Sequence, residues 1–412
     1  MEENCIRHDE HIFHYISFKI VIIFNMISNK KARVIAFYLP QFHPIPENDK
    51  WWGKGFTEWT NVAKAKPLFK GHYQPHIPAD LGFYDLRLPE VREQQAQMAR
   101  EAGIEGFCYW HYWFSHDQKL LERPFQEVLQ SGKPDFPFCL GWANHSWTNK
   151  SWEAGTRKQK EMTLMEMVYN EDEYRKHFYD VLPAFKDHRY ITVDDKPLFL
   201  IWSPTDLPSA QTFIQLWQQL AKENGLNGVH FVGIQQNIVN STIRFKDLLL
   251  KRIPHQAPTL YNHLLNQGFD AINSRGYNRA DLYSRTLWDI IFRSIAIRFF
   301  NYFPISKCDQ RKINQWLYTQ EDTQENVYPT IIPNWDRSPR SGKKARIYTN
   351  STPDVFAQQV DMALNLVKDK QPEHQIIFLM SWNEWAEGNY VEPDLKYGHG
   401  FLNALSNKII LK

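Results

Sequence analysis

Cysteine is scarce in this 412-residue chain: Cys5, Cys108, Cys139 and Cys308 are scattered, with no CxxC spacing. A disulfide-stapled secreted fold is thereby excluded. Cys108 and Cys139 lie inside apolar runs and read as small buried hydrophobes, so a reducing, cytoplasmic setting is expected. An excess of one charge is lacking too. The formal net charge is +2, which removes any general electrostatic reason to expect nucleic acid as a partner. No GxGxxG or GxxxxGK[ST] follows a strand-like run, and no HExxH or tight His/Asp cluster occurs. The signatures of dinucleotide, NTP and zinc-hydrolase sites are absent, and neither metal nor cofactor is expected. Long hydrophobic runs are missing as well. The best candidate, Tyr15–Ile27, is short for a membrane span and is broken by Lys19 and Asn25. It follows an acidic leader and precedes no small-residue cleavage site, unlike a signal peptide. Residues 1–25 are therefore expected to be an upstream extension, with Met26 the natural start; N-terminal sequencing of native protein checks this.

What the chain has in quantity is aromatic side chains, 15% of residues, with 15 tryptophans. Flat rings with a polar edge fill cores, and they also stack on the apolar faces of sugars. The rest of the composition, 43% hydrophobic and 23% charged, is that of a soluble globular protein. Short apolar runs alternate with helical patterns. The strand-like "RVIAFYLP", "IEGFCYWHYWF", "FPFCLGWAN", "VHFVGIQQ", "YPTIIPNWD" and "QIIFLMSWNEW" are separated by helix-like segments such as "LPEVREQQAQMAREAG" and "TPDVFAQQVDMALNLVKD". "YITVDDKPLFLIW" reads as a hairpin turning about Asp194–Asp195 into a buried strand, so its acidic pair is discounted as a DxD nucleotide-sugar motif. Apolar strands separated by helices imply a parallel sheet covered on both faces. The length and the number of alternations predict an α/β fold, a single-domain (β/α)8 TIM barrel over residues 26–412 with long loops after the strands. Residues 241–320 are less regular and basic, with 12 Lys and Arg against 5 Asp and Glu. They read as barrel helices with solvated faces, or as a peripheral membrane contact of basic and aromatic side chains.

Catalytic residues of such barrels sit at the C-terminal strand ends, and here those ends are decorated. The first carries Tyr38, Gln41, His43, Trp51, Trp52, Glu58 and Trp59. The second carries Tyr109, Trp110, His111, Tyr112 and Trp113. The third carries Trp142, Asn144, His145 and Trp147. Trp202 follows "LFLI", and Asn334, Trp335 and Asp336 follow "PTII". Trp382, Asn383, Glu384, Trp385 and Glu387 close the last strand. Rings for stacking and amides, imidazoles and carboxylates for hydroxyls suit a polyhydroxylated ligand, although each residue alone is as readily a core or capping group.

Glu384 and Glu387 are the strongest pair. On a helical turn, i and i+3 share a face with Cβ atoms ~5–6 Å apart, and retaining glycosidases hold their carboxyl groups ~5–5.5 Å apart. Two such charges beside indoles do not both ionise easily, so one pKa is expected to rise. A salt-bridged or helix-capping glutamate is the alternative.

Several long stretches then point to a known family. "FYLPQFHPIPENDKWWGKGFTEW", "AGIEGFCYWHYWF", "GWANHSWT", "PNWDRSPR" and "SWNEWAEGNYVEPD" resemble the WbsX family of glycosyltransferase or lipopolysaccharide-biosynthesis proteins, from about Arg33 to about Leu402. Their domain is similar to glycoside hydrolase family 99. The resemblance implies a (β/α)8 barrel, no cofactor and a WNEWxEG catalytic loop. It also implies that Glu384 acts as a base on the sugar 2-hydroxyl, while Glu387 protonates the leaving oxygen and later activates the acceptor. Ala386 stands where family 99 usually has histidine, which puts mannose specificity in doubt. The expected function is making or breaking a glycosidic bond during assembly of a surface polysaccharide or O-antigen. An oligosaccharide or lipid-linked glycan is the expected substrate, with water or another sugar as acceptor. A non-catalytic glycan-binding barrel is the competing reading.

Overall fold

The computed structural model describes residues 30–149, 162–235, 257–300 and 304–411. The expected extension, residues 1–25, and the first part of the basic segment, 241–256, lie outside them. Eight parallel strands form the centre: β1 (Arg33–Tyr38), β2 (Gly106–Ser115), β3 (Phe138–Trp142), β4 (Lys196–Ile201), β5 (His230–Gln235), β6 (Ala271–Ser274), β7 (Val327–Ile331) and β8 (Ile376–Leu379). Each pairs with its neighbours in chain order. β1 pairs with both β2 (Ile35↔Gly106) and β8 (Arg33↔Ile376), which closes the sheet into a barrel. Closure leaves no sheet edge, and the near-continuous burial of the strands follows from an inner core on one face and helices on the other.

The outer ring consists of α1 (Pro89–Glu101), α2 (Arg123–Ser131), α3 (Glu171–Phe185), α4 (Ala210–Glu223), α5 (Ala257–Asn266), α6 (Tyr277–Ser284), α7 (Leu287–Phe300), α8 (Gln310–Leu317), α9 (Pro353–Val367) and α10 (Gly400–Ile409). Proline stands in the first turn of α1, α2 and α9, where its missing N–H is no loss. The side chains of Asn170, Ser209 and Thr352 accept from backbone N–H groups at the starts of α3, α4 and α9. Trp217 of α4 is fully buried against Phe199 of β4.

The sequence reading shows seven of these eight strands. It misses β6, four residues reading "AINS", inside the segment taken as irregular. From residue 257 the segment contains β6, paired with β5 and β7, and the helices α5–α8, of which α6 and α8 pack on each other. Asp194 and Asp195 take φ values of 51° and 57° in the expected hairpin. That turn precedes β4, at the barrel end away from the C-terminal strand ends. Cys108, Cys139 and Cys308 are buried free thiols.

Candidate active site

The C-terminal strand ends surround a cavity of about 320 Å³ that contains both Glu384 and Glu387, near the lower end of small-molecule sites at ~300–1,000 Å³. The last strand does not run on into an α-helix as expected. Asn383–Glu384 pairs antiparallel with Asn389–Tyr390, and a single 3-10 turn, Trp385–Glu387, joins the two strands. The i,i+3 proximity survives because a 3-10 turn also brings those positions onto one side.

Arg340 organises the pair. Its Nη1 donates to Glu384 Oε1 at 3.1 Å and to Glu387 Oε1 at 2.6 Å, while Nη2 donates to Glu58 Oε1 at 2.8 Å. Glu58 has no solvent exposure and accepts a second bond from the Ala386 N–H at 3.0 Å, so it holds both the arginine and the turn carrying the acids. Arg337 Nη2 lies 3.0 Å from Glu387 Oε1, and Trp335 Nε1 donates to Glu387 Oε2 at 3.3 Å. Burial, then repulsion from Glu387, pushes the Glu384 carboxyl up to about 7 against the pull of Arg340. Burial acts the same way on Glu387, but Arg337 and Arg340 outweigh it and hold that carboxyl below its usual range. Burial and the neighbouring charge thus favour the protonated form at Glu384, and the two arginines the ionised form at Glu387.

The walls are aromatic. Trp110, Tyr112, Trp147 and Trp202 line the cavity with His145, Trp335 and Arg275. Trp110 stacks on Phe37 at 4.7 Å and meets Trp202 edge-on at 5.0 Å. The run Tyr109–Trp113, read as one cluster, is split by the strand's alternation of faces. Trp110 and Tyr112 face inward. Tyr109 packs on Phe125 of α2, the Nε2 of His111 sits 3.0 Å from that of His177 on α3, and Trp113 stacks on the same His177 at 4.2 Å.

Trp142 is buried against His177 and Phe213, Tyr38 donates to Gln95 of α1 at 2.6 Å, and Trp382 donates to the buried Glu392 at 2.7 Å. These six residues, expected at the site, belong to the layer between barrel and helices. Asn383 and Asn144 are also structural. Each pairs its side-chain amide with the backbone N–H and C=O of a residue just past the neighbouring strand, Leu39 and Ser203 respectively.

Other expected residues support the rim from behind. Gln41 is fully buried and its carbonyl accepts the Glu58 N–H; His43 is buried, which lowers its pKa to about 4. Trp52 packs towards Phe56, and Trp59 donates to the Tyr84 carbonyl and packs on Trp385. Asp336 accepts from Gln74 and pairs with His72, at 2.6 Å each. Asn334 accepts the Tyr390 N–H, and both residues line a second cavity of about 280 Å³ that shares the Trp335 wall. The sequence reading passed over Arg275, Arg337 and Arg340. The last two stand in "PNWDRSPR", where nothing local sets them apart from solvated loop arginines, and Arg275 follows β6, a strand too short to show a period.

Among the described residues no group of His, Cys, Asp and Glu is placed to hold a metal ion. The model of the family described as "Glycosyltransferase WbsX" matches residues 34–405. Two proteins named WxcX, from Xanthomonas campestris pv. campestris strains B100 and ATCC 33913, are 33% and 34% identical to this chain over 90% of its length. The chain spans about half the length of these curated relatives, 49% of each. A solved glycoside hydrolase-like protein superposes with a TM-score of 0.57 at 15% identity, covering 93% of this chain and 95% of the other. The GH99 endo-alpha-mannosidase from Bacteroides thetaiotaomicron in complex with Bis-Tris propane gives 0.52 at 13% identity, covering 91% and 95%. At such identities the likeness is one of fold. With a family model covering nearly the whole barrel, this chain belongs to the WbsX glycosyltransferase family and is built as a (β/α)8 barrel.

Proposed function

We propose that this barrel makes or breaks a glycosidic bond in the assembly of a surface polysaccharide, with retention at the anomeric carbon. The observation that carries the reading is the sharing of Arg340 Nη1 by Glu384 and Glu387 at the mouth of a ring-walled cavity. Two carboxylates on one nitrogen are closer than the ~6.5–9.5 Å an inverting pair needs to admit water. Glu384 carries the proton for the leaving oxygen. Glu387, ionised between two guanidinium groups, takes the proton of the donor sugar's own 2-hydroxyl, whose oxygen displaces the leaving group at C1; an acceptor hydroxyl, giving its proton to Glu384, then opens the resulting 1,2-anhydro sugar, and the two inversions add up to retention. Trp110, Trp147 and Trp202 supply stacking area for the sugar ring. The acceptor is another sugar, in keeping with a cytoplasmic transferase acting on an oligosaccharide or lipid-linked glycan. Glu387→Gln keeps the shape and removes the base, so product from such donors, read by mass spectrometry, falls by ~10²–10⁴-fold. Product formation equal to wild type would discard the catalytic assignment and leave a glycan-binding barrel.

Membrane contact is the second part of the proposal, and α7 is the observation that favours it. Trp288, Ile291, Phe292, Ile295 and Phe299 form one exposed stripe, with Trp288 80% and Phe299 72% accessible. Arg298 is exposed on the same side. No helix among the described residues is long and apolar enough to cross a membrane, whereas this pattern suits a helix lying in the interface of an anionic leaflet. The protein is expected to co-sediment with liposomes containing anionic lipid, and Trp288→Asp with Phe292→Asp to abolish it. Binding indifferent to anionic lipid removes this part.

A further inference from the structure

Arg275 is the group in the cavity that bond-making chemistry leaves unused. It follows β6 directly, is 4% exposed and lies against the cavity wall. Its Nε donates to Asn273 Oδ1 at 3.1 Å, while its Nη2 is buried with no hydrogen-bond partner among the described residues. The carboxylates of the cavity are engaged elsewhere, Glu384 and Glu387 by Arg340, and Glu387 by Arg337 as well. The guanidinium instead lies over the rings of Phe37 at 4.4 Å, Trp202 at 5.0 Å and Trp110 at 5.7 Å. Ring faces attract a cation, but they offer weak acceptors for a fork of N–H donors.

Burial lowers the Arg275 pKa only to about 10, so the group stays charged at neutral pH. Glu384 acts on it through space but forms no ion pair with it, and a buried charge with no directly paired counter-charge is disfavoured. A bound anion removes that penalty, and a planar guanidinium matches carboxylate and phosphate oxygens two at a time. An anion arriving beside Glu384 also strengthens that carboxyl's hold on its proton, because like charge favours the neutral form.

We infer that Arg275 receives an oxyanion carried by the sugar in the cavity, the carboxylate of an acidic monosaccharide or a phosphate group, and so selects acidic over neutral units. The inference rests on the reading of this cavity as a glycan site and adds the class of sugar it takes. The full chain is titrated by calorimetry with methyl glucuronide and methyl galacturonide, with glucose 6-phosphate, and with methyl glucoside and galactoside as neutral counterparts. At least one acidic probe is expected to bind about tenfold or more tightly than its neutral counterpart. The uronide and phosphate arms identify which anion is taken. Arg275→Met erases the preference and Arg275→Lys keeps part of it. Without ligand, Arg275→Met is expected to melt close to wild type, the removal of a buried charge with no ion pair offsetting the lost ring contacts and the bond to Asn273. Three results overturn the inference: no preference in wild type, a preference that persists in Arg275→Met, or a marked fall in melting temperature on that substitution. Any of these, alongside lost turnover in Glu387→Gln, would leave the enzymatic reading standing and remove this one alone.

Discussion

At the residue scale the site is an arrangement of three carboxylates around one guanidinium. Glu58, Glu384 and Glu387 all meet Arg340, but they do not share its charge equally. Glu384 is left with a raised pKa near 7, and Glu387 with a lowered one. The pH dependence of kcat/KM reports groups of the free enzyme. If Glu384 acts as the acid, its active form is the protonated one. The rate constant is then expected to fall as pH rises through about 7, and a pH–rate profile on any accepted glycan checks this. A profile that instead climbs through pH 7 would return the base role to Glu384. Both acids were legible in the sequence because a tryptophan-flanked pair is chemically conspicuous. Arg337 and Arg340 were not, because arginine in a loop is ordinarily a solvated surface residue and nothing local announces its burial.

At the scale of elements, the turn between Asn383–Glu384 and Asn389–Tyr390 aims both acids. It closes on Gly388, whose φ of 56° lies in the left-handed region. A Cβ there would stand 2.9 Å from the Cβ, N and O of Asp336, and the Asp336 N–H donates to the Glu387 carbonyl at 2.7 Å. Gly388→Ala therefore forces the turn away from its support. We expect a stability loss on the order of 1–3 kcal/mol in urea titration and a drop in turnover approaching ~10²-fold, the usual effect of misplacing a catalytic group by about 1 Å. Unchanged turnover would show that the turn does not position the acids. Helices α1, α4 and α9 were readable from their apolar periodicity and their starts. β6 was not, since four residues, two of them polar, are too short for a period to emerge, and pairing with β5 and β7 makes them a strand.

For the whole molecule, the barrel–helix layer carries its own buried acid. Glu392 is 2% exposed and accepts from Trp382, Trp385, Gln95 and Tyr84, yet burial still pushes it up to about 7. A carboxyl with a folded pKa above its unfolded value contributes stability that is complete below about 4.3 and is lost as pH rises through about 7. Glu392→Gln is expected to flatten that decline by up to ~1.4 kcal/mol per pH unit, measured by urea unfolding at several pH values across the interval. A slope identical to wild type would mean that Glu392 does not titrate there. By itself the sequence determined the α/β alternation, the barrel class and the position of the acid pair, because these follow from local period and composition. Tertiary structure alone decided which face of each strand meets the cavity, hence why Trp110 and Tyr112 enter it while His111 and Trp113 do not. It also joined Glu58 to Arg340 across 282 positions and gave Arg275 no ion pair among the described residues. Those outcomes depend on strand phase and on contacts between segments remote along the chain, and no local pattern encodes either.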